Sequence, residues 1–233
     1  GHSRAHALVH FGGGSRLQRT RVSARVPEVE IARTHQSSGI NCIVLFPGGR
    51  FDLQIFERRY IDLISHCMRT ETGFGICLLK SGGETTRENL EQTTHDTGTY
   101  VKIVDWNQLE SGLLGITVEG SVKFVAEDYW REDNDVLHAS VKFSELESTQ
   151  AETIPLDDQF SALSDLLQSL EDHPLVAASN LTIDYNDMWQ LGWRLSELVP
   201  LDMNERQRRL EIDDPLERLT RIEKLVSEMA HGS

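Results

Sequence analysis

The chain has 233 residues, of which 39% are hydrophobic and 26% are charged, and its formal net charge at pH 7 is -14. This composition is typical of a globular protein and excludes wholesale disorder, and no apolar run reaches the ~18 residues that a membrane-spanning helix needs. A strongly acidic surface repels phosphate backbones, which argues against nucleic acid as a partner.

Residues 1–38 are predicted to be a leader, either tag-derived or atypical. The sequence begins without Met, and residues 1–27 contain five arginines and no acidic residue, unlike the acidic remainder. Two functional interpretations stay open: an arginine-rich organelle-targeting peptide, and a metal site of His2, His6 and His10 at four-residue spacing. The apolar core of a secretory signal peptide is absent here, so none is predicted.

The next part of the chain is predicted to run from strand through turn to strand, helix and strand. Residues 42–46 are a short β-rich run, and Pro47-Gly48 predicts a turn, because Pro restricts φ and Gly accepts positive φ. Residues 51–56 alternate as in a half-buried strand, and 74–79 is an apolar run of strand length. Between them the apolar residues follow a helical period. That helical stripe consists of Tyr60, Leu63, Ile64, Cys67 and Met68.

Further strands are predicted after a polar loop at residues 80–97. They cover residues 98–107, 113–119, 121–130 and 136–143. The Glu119-Gly120 step predicts a compact turn, so the strands on its two sides are expected to form a hairpin. Residues 39–150 are therefore predicted to be a β domain that carries one helix.

Residues 151–233 are predicted to form a helical subdomain. Asp157 or Asp158 is placed to cap the first helix, Asp202 and Glu205 have the spacing of a capping box, and Pro215 follows Asp214 at a helix start. Apolar residues at helical spacing support these helices. They are Phe160, Leu163, Leu166, Leu167, Leu170, Leu191, Leu195, Leu198, Leu216, Leu219, Ile222, Val226 and Met229.

Several segments, in a characteristic order, resemble the Lon protease N-terminal (substrate-binding) domain. The opening motifs are Val44-Leu45-Phe46-Pro47-Gly48-Gly49-Arg50 and Leu53-x-Ile55-Phe56-Glu57-x-Arg59-Tyr60. Gly98-Thr99 and the segments at 113–120 and 214–219 follow in the order seen in that family. The resemblance covers about residues 40–230, and the chain looks like the stand-alone bacterial Lon-domain proteins.

The resemblance implies an α+β fold: a PUA-like β-barrel or sandwich with one helix, followed by a C-terminal α-helical bundle. It also implies that the motif residues serve mainly to build the fold. These are Phe46, Pro47, Gly48, Phe56, Glu57, Arg59 and Tyr60. The family's usual first strand is not recognisable before Asn41, so either residues 29–32 substitute for it or the strand is missing.

No catalytic residue is predicted. Glu57 can be interpreted as a catalytic carboxylate. The preferred interpretation is structural, because a carboxylate at a helix start accepts backbone N–H bonds, and Arg59 is a possible partner for it. Asp105, Asp128 and Asp133 are a weaker candidate acidic group for acid/base chemistry. There is no G-x-x-x-x-G-K-[ST] phosphate-binding motif, and the chain leaves no room for a Ser-Lys protease domain, so an enzyme is not expected.

Three aromatic residues are candidates for peptide binding. Trp106, Tyr129 and Trp130 lie at the ends of predicted strands, where they are expected to rim a groove for extended polypeptide. The alternative is that they only pack the end of the barrel.

Cofactors and metal ions are not predicted. Three cysteines without a C-x-x-C pair indicate buried thiols in a reducing compartment, so a cytoplasmic location is expected. The histidines after the leader show no metal-ligand spacing.

The resemblance implies a non-catalytic protein- or peptide-recognition module whose partners are polypeptides, possible roles being an adaptor in proteolysis or quality control. Two alternatives stay open. One is an RNA-binding PUA-like module that uses a local basic face of Arg50, Arg58, Arg59 and Arg69, and the other is an uncharacterised hydrolase. Neither the ligand nor the oligomeric state follows from the sequence.

Overall fold

The computed structural model describes residues 27–34, 43–80, 94–132, 136–171 and 183–231. Most of the predicted leader, including the alternative metal site of His2, His6 and His10, lies outside these residues. So do Cys42, most of the predicted polar loop and Asp133.

Six strands form one mixed sheet that closes on itself. In chain order they are β1 (Glu28–Thr34), β2 (Arg50–Ile55), β3 (Phe74–Leu78), β4 (Thr97–Gln108), β5 (Leu114–Arg131) and β6 (Leu137–Ser148). The spatial order is β2-β5-β4-β3-β1-β6, and β5 also pairs with β6. Five strands therefore make a closed ring, while β2 pairs with the first half of β5 outside it. The β1–β3 pair is parallel and the other pairs are antiparallel.

Strand β1 corrects the predicted leader boundary at residue 38. Residues 28–34 form a strand of the ring, paired with β3 on one side and β6 on the other. Val29 and Ile31 are buried. Residues 29–32 thus form a strand before Asn41, where the family's usual first strand is not recognisable. The strand was hard to recognise because its hydrogen-bond partners come from distant parts of the chain.

The hairpin predicted at Glu119-Gly120 is wrong, because β5 runs through this step without a turn. Gly120 is needed there for close packing. Its N–H donates to the carbonyl of Gly49 at 2.9 Å, and its own carbonyl accepts from the N–H of Gly48 at 2.8 Å. A Cβ at Gly120 would overlap the carbonyl oxygen of Phe46. The glycine therefore lets the segment before β2 lie against β5.

Residues 43–46, predicted as a strand, are buried but belong to no strand. Side chains, and not a neighbouring strand, form some of the hydrogen bonds of this backbone segment. The Thr99 hydroxyl donates to the Leu45 carbonyl at 2.6 Å, and the Phe46 N–H donates to Oε1 of Glu197 at 3.1 Å. The apolar residues alternate between two clusters, so this segment joins the cluster inside the sheet to the cluster facing the helices.

Helix α1 (Arg58–Thr70) confirms the predicted helical stripe in all but its last member. Tyr60, Leu63, Ile64 and Cys67 are buried against the sheet, whereas Met68 is exposed. Burial raises the pKa of the Cys67 thiol to about 11, so the thiol stays protonated at neutral pH. The helix ends at Glu71, whose φ of 55° is left-handed.

Four more helices follow the sheet within the described residues: α2 (Ser161–Glu171), α3 (Met188–Leu198), α4 (Met203–Leu210) and α5 (Pro215–His231). A single 3₁₀ turn, Asp158–Phe160, precedes α2 and is capped by Asp157. The predicted cap at Asp202 is confirmed, since its Oδ1 accepts the N–H of Glu205 at 2.8 Å. The apolar core shared by α2, α3 and α5 contains Leu163, Leu167, Leu191, Leu195, Leu219 and Ile222.

The helices are joined to the sheet by a second apolar cluster. It contains Val44 and Phe46 from the buried segment, Leu78 from β3, Trp189 and Trp193 from α3 and Leu210 from α4. The Trp189 and Trp193 rings stack with centroids 5.8 Å apart, so this aromatic pair helps to pack the helices against the sheet.

A buried charged network joins the same two parts of the chain. Lys123 of β5 forms an ion pair with Glu147 of β6, whose other carboxylate oxygen lies 2.7 Å from Nη2 of Arg218 in α5. All three residues are at most 1% exposed. The Trp193 indole N–H also donates to Glu147, at 3.2 Å. We refer to Lys123, Glu147 and Arg218 as the buried ion network.

Candidate functional site

The Pro47-Gly48 turn predicted from the sequence is confirmed. The Gly49 N–H donates to the Phe46 carbonyl at 3.0 Å, and Gly48 has a φ of 75°. Pro at the second position and a positive φ at the third are the features of a type II turn. Gly is favoured at the third position because it accepts that φ without steric cost.

Helix α3 holds this turn in place. Nη2 of Arg194 donates to the Pro47 carbonyl at 2.6 Å, and Glu197 accepts the Phe46 N–H. Arg194 and Glu197 form an ion pair at 2.9 Å. Burial raises the pKa of the Glu197 carboxyl, and the Arg194 guanidinium opposes that rise. Phe46, Pro47 and Gly48 therefore fit the structural role that the family resemblance implied.

A polar cleft of about 390 Å³ lies between this turn and the start of α3. Its charged groups are already engaged. Arg50 and Glu119 form an ion pair at 2.6 Å, and Oδ1 of Asp187 accepts the N–H groups of Trp189 at 3.1 Å and Ile154 at 3.2 Å. Burial raises the pKa of Asp187, which its backbone hydrogen bonds oppose. With these carboxylates held in such contacts, the described residues of the cleft offer no free acid/base pair.

A second cleft, of about 280 Å³, lies along the start of β5 between β2 and β4. Register places Asp52 and Asp105 on opposite sides of Thr117. Two residues nearer the start of β5, Gln54 and Asn107 flank Gly115 in the same way. We refer to this cleft as the β5 trough; it comprises Asp52, Gln54, Asp105, Trp106, Asn107, Gly115 and Thr117.

Trp106 borders the β5 trough and is 59% exposed, and its role in peptide binding stays a prediction. A register irregularity between Ile103 and Asp105 places Val104 as an extra, exposed residue just before it. The Trp106 N–H donates to Oδ1 of Asp105 at 2.7 Å. Because Trp106 pairs with Ile116 and Asp105 with Thr117, the indole lies on the opposite face of β4 from the Asp105 side chain, and its exposure marks that face as a candidate contact surface.

Tyr129 and Trp130 lie elsewhere, so the three candidate aromatics do not form one groove. Trp106 pairs with Ile116 near the start of β5, whereas Trp130 belongs to the last residues of that strand. Trp130 stacks on His138 with centroids 5.8 Å apart, and the Tyr129 hydroxyl donates to Asp96 at 3.2 Å. Both are half-buried. The expectation of a shared rim came from their positions at the ends of predicted strands, but strand pairing places Trp106 beside the start of β5 and Trp130 at its end.

Glu57 precedes α1 but makes no capping hydrogen bond with its side chain. Oε2 of Glu57 instead lies 2.6 Å from Nη2 of Arg59, so the expectation that the carboxylate accepts N–H bonds of the helix start is wrong. The Arg59 guanidinium lies over the Tyr60 ring at 4.8 Å, and Tyr60 accepts the N–H of Arg33 at 3.4 Å. These contacts pack α1 against the sheet, while Phe56 is 53% exposed.

The weaker alternatives find little geometric support among the described residues. Asp105 and Asp128 pair with residues in different halves of the sheet, so they do not form an acid/base pair. Arg50 and Arg59, two members of the proposed basic face, are paired with Glu119 and Glu57.

Two further kinds of feature are absent from the described part of the chain. It contains no group of three or more His, Cys, Asp or Glu residues arranged to hold a metal ion. No helix in it has the length and apolar character needed to cross a membrane.

The sequence singled out Trp106 and Asp105 but not the other residues of the β5 trough. Asp52, Thr117 and Gly115 come together only through the pairing of β2, β4 and β5. The alternation of residues 51–56 indicated which side chains share a face, but it did not indicate which strand lies opposite.

Comparisons with known proteins give a consistent result. Residues 40–228 match the model of the ATP-dependent protease La (LON) substrate-binding domain. A Lon N-terminal domain protein from Xanthomonas campestris is similar in structure, with a TM-score of 0.65 and 27% identity, over 87% of this chain and 98% of that one. The N-terminal domain of Mycobacterium avium complex Lon protease shares the fold, with a TM-score of 0.57 and 17% identity, over 87% of this chain and 99% of that one. No curated protein matches the chain.

Proposed function

Because the chain belongs to the family of Lon substrate-binding domains, we propose that it is a non-catalytic module that recognises polypeptide. The match is to a substrate-binding domain and not to a catalytic one. In this proposal the chain acts in the cytoplasm as an adaptor in proteolysis or quality control. The closed ring of strands with α1 is the PUA-like barrel, and α2–α5 are the helical bundle that follows it.

The observation that carries this proposal is the position of Trp106. Trp106 is 59% exposed and borders the β5 trough, whereas the other tryptophans are buried or half-buried. Tryptophan is enriched among residues that dominate binding free energy, because a large flat ring buries much apolar area at low entropic cost. The polar side chains of the β5 trough, on the other face of the sheet, supply further hydrogen-bonding groups for a peptide backbone.

Direct binding to unfolded polypeptide tests the proposal. Labelled peptides tiled through a denatured protein substrate are titrated with the full chain, and fluorescence anisotropy gives the dissociation constants. We expect a subset of the peptides to bind, and Trp106→Ala to weaken them by about tenfold or more, as for the loss of an aromatic anchor.

Trp130→Ala is the matched control. It removes an indole of the same size at the other end of β5, where the ring stacks on His138. We expect this variant to bind the peptides as the parent does. Equal losses in both variants, or binding of labelled RNA but of no labelled peptide under the same conditions, would overturn the proposal.

A further inference from the structure

We propose that β2 binds extended polypeptide as an added strand, through the backbone N–H and C=O groups of its open edge. This inference rests on the proposed function, because it assigns a binding mode to the same recognition of polypeptide. It is carried by the position of β2 at one end of the strand order, by the direction of its backbone groups and by the lack of features that protect an edge strand.

Strand β2 has one open edge. It stands at one end of the spatial order of the sheet, and β5 is its one strand neighbour among the described residues. The Gly120 N–H donates to the Gly49 carbonyl at 2.9 Å, which fixes the phase of the antiparallel ladder. The odd-numbered residues of β2 therefore direct their backbone groups to β5, whereas Asp52 and Gln54 direct theirs away from the sheet.

These outward backbone groups have no partner in the part of the chain that the structure describes. No turn, loop or side chain there forms a hydrogen bond with the N–H or C=O of Asp52 or Gln54. Both residues are exposed, so the groups are open to a ligand. A row of alternating donors and acceptors at strand spacing fits the backbone of another extended chain, which is the chemistry of strand addition.

Proline and β-bulges are two of the features that protect edge strands, and β2 has neither. Its register with β5 is unbroken from Arg50 to Ile55. The end of β4 is the contrast, since beyond Val101 it pairs with β5 alone among the described strands. There the register is irregular before Asp105, whose Oδ1 accepts the N–H of Trp106 at 2.7 Å. Of these two edges, β2 is the one whose backbone groups stay available.

The side chains of β2 indicate what the added segment carries. Phe51, Leu53 and Ile55 share one face, on which Leu53 and Ile55 are buried and Phe51 is 37% exposed. An apolar residue of the added strand would cover Phe51, because paired strands place side chains of one face about 5 Å apart. Asp52 and Gln54 on the other face are exposed and favour polar residues. The segment therefore alternates apolar and polar residues over roughly five positions.

Charge favours a substrate polypeptide over a second copy of this chain as the occupant. Each copy has a formal net charge of -14, so two copies repel each other. An antiparallel pair of β2 strands centred on Asp52 would also place two like carboxylates opposite each other, which is destabilising. A neutral or basic segment meets neither cost.

A scan of backbone N-methylation tests strand addition from the ligand side. One neutral peptide that binds the full chain is made with a single N-methyl group at each position in turn, and fluorescence anisotropy gives the affinities. Because N–H groups that face β2 alternate with groups that face away, we expect losses of about tenfold at every second residue and of less than about twofold between them. Losses without this alternation would overturn the proposal.

Gln54→Pro tests the same contact from the protein side. Proline removes the outward N–H and leaves the ladder with β5 intact, since proline is tolerated on an edge strand where the N–H faces solvent. The comparison is Gln54→Ala, which removes the side chain and keeps the N–H. We expect the proline variant to bind the peptide about tenfold more weakly than the alanine variant. Equal affinities would contradict strand addition, and the N-methyl scan decides if urea denaturation shows that the proline variant does not fold.

The failures of the two proposals are distinguishable. If Trp106→Ala releases the peptides but the scan and the proline variant show no backbone contact, strand addition is wrong and the recognition function stands. If no peptide binds, both proposals are wrong. If sedimentation shows a dimer that Gln54→Pro converts to a monomer, the edge pairs with a second copy and the polypeptide proposal for it is overturned.

Discussion

Two glycines, Gly48 and Gly120, form one contact for different physical reasons. Gly48 accepts the positive φ of the type II turn, whereas Gly120 lets the Phe46 carbonyl approach the backbone of β5. The first role can be read from the Pro-Gly dipeptide. The second cannot, because it depends on a segment more than seventy residues away in the sequence.

We therefore predict that Gly120→Ala lowers the free energy of unfolding by about 3 kcal/mol, the upper part of the range for overpacking. The new methyl group would meet backbone atoms, which cannot move aside as a side chain can. Urea denaturation followed by tryptophan fluorescence measures the change.

Gly112→Ala is the comparison for that experiment. Gly112 has a φ of 81°, and a methyl group added there would have no atom of the described residues within 4 Å, so alanine suffers only backbone strain. We expect a loss of about 1 kcal/mol. A Gly120 variant no less stable than the Gly112 variant would show that the contact with Phe46 is not tight.

At the scale of the strands and helices, the buried ion network decides how α5 is fixed to the sheet. Lys123 also donates to Asp213 at 2.6 Å and to the carbonyls of Leu210 and Ile212 at 3.2 Å, at the link between α4 and α5. Burial lowers the pKa of Arg218, and the charge of Glu147 opposes that change. Glu147 is thus the anion shared by two buried cations.

We predict that Glu147→Gln costs about 3–5 kcal/mol of stability, because it leaves both cations buried without their shared anion. Glu217→Gln is the control, since Glu217 forms an exposed ion pair with Arg221 on α5. That pair is expected to contribute less than about 1 kcal/mol. Both values come from urea denaturation, and similar small losses in the two variants would contradict the prediction.

At the scale of the whole molecule, the sheet and the helices share one packed interface. The cluster around Trp189, Trp193 and Phe46 contains residues from both parts, and the buried ion network crosses the same interface. The division predicted near residue 150 is therefore a change of secondary structure along the chain, and its status as a domain boundary stays a prediction.

We expect native-state hydrogen exchange to show α3 and α5 opening with the same free energy as β5 and β6. Shared burial makes separate opening of either part costly, because it would expose the tryptophans and the ion network to water. The measurement follows peptide-resolved exchange at increasing denaturant. Opening of the helices at clearly lower free energy than the strands would instead support two separately folding domains.

The sequence alone determined the local features and the family. The stripe of α1, the Pro47-Gly48 turn and the cap at Asp202 follow from residues a few positions apart, so they can be read from periodicity and turn chemistry. The order of the motifs indicated the family, which the match over residues 40–228 confirms.

The tertiary structure alone decided whatever depends on strand pairing. It made residues 28–34 a strand, carried β5 through Gly120 and placed Trp106 of β4 beside the start of β5, far from Trp130 at the end of β5. It also assembled the β5 trough from three strands. The physical reason is that hydrogen-bonded neighbours in a sheet, and partners of buried charges, are chosen by packing between distant segments, which no local pattern of residues records.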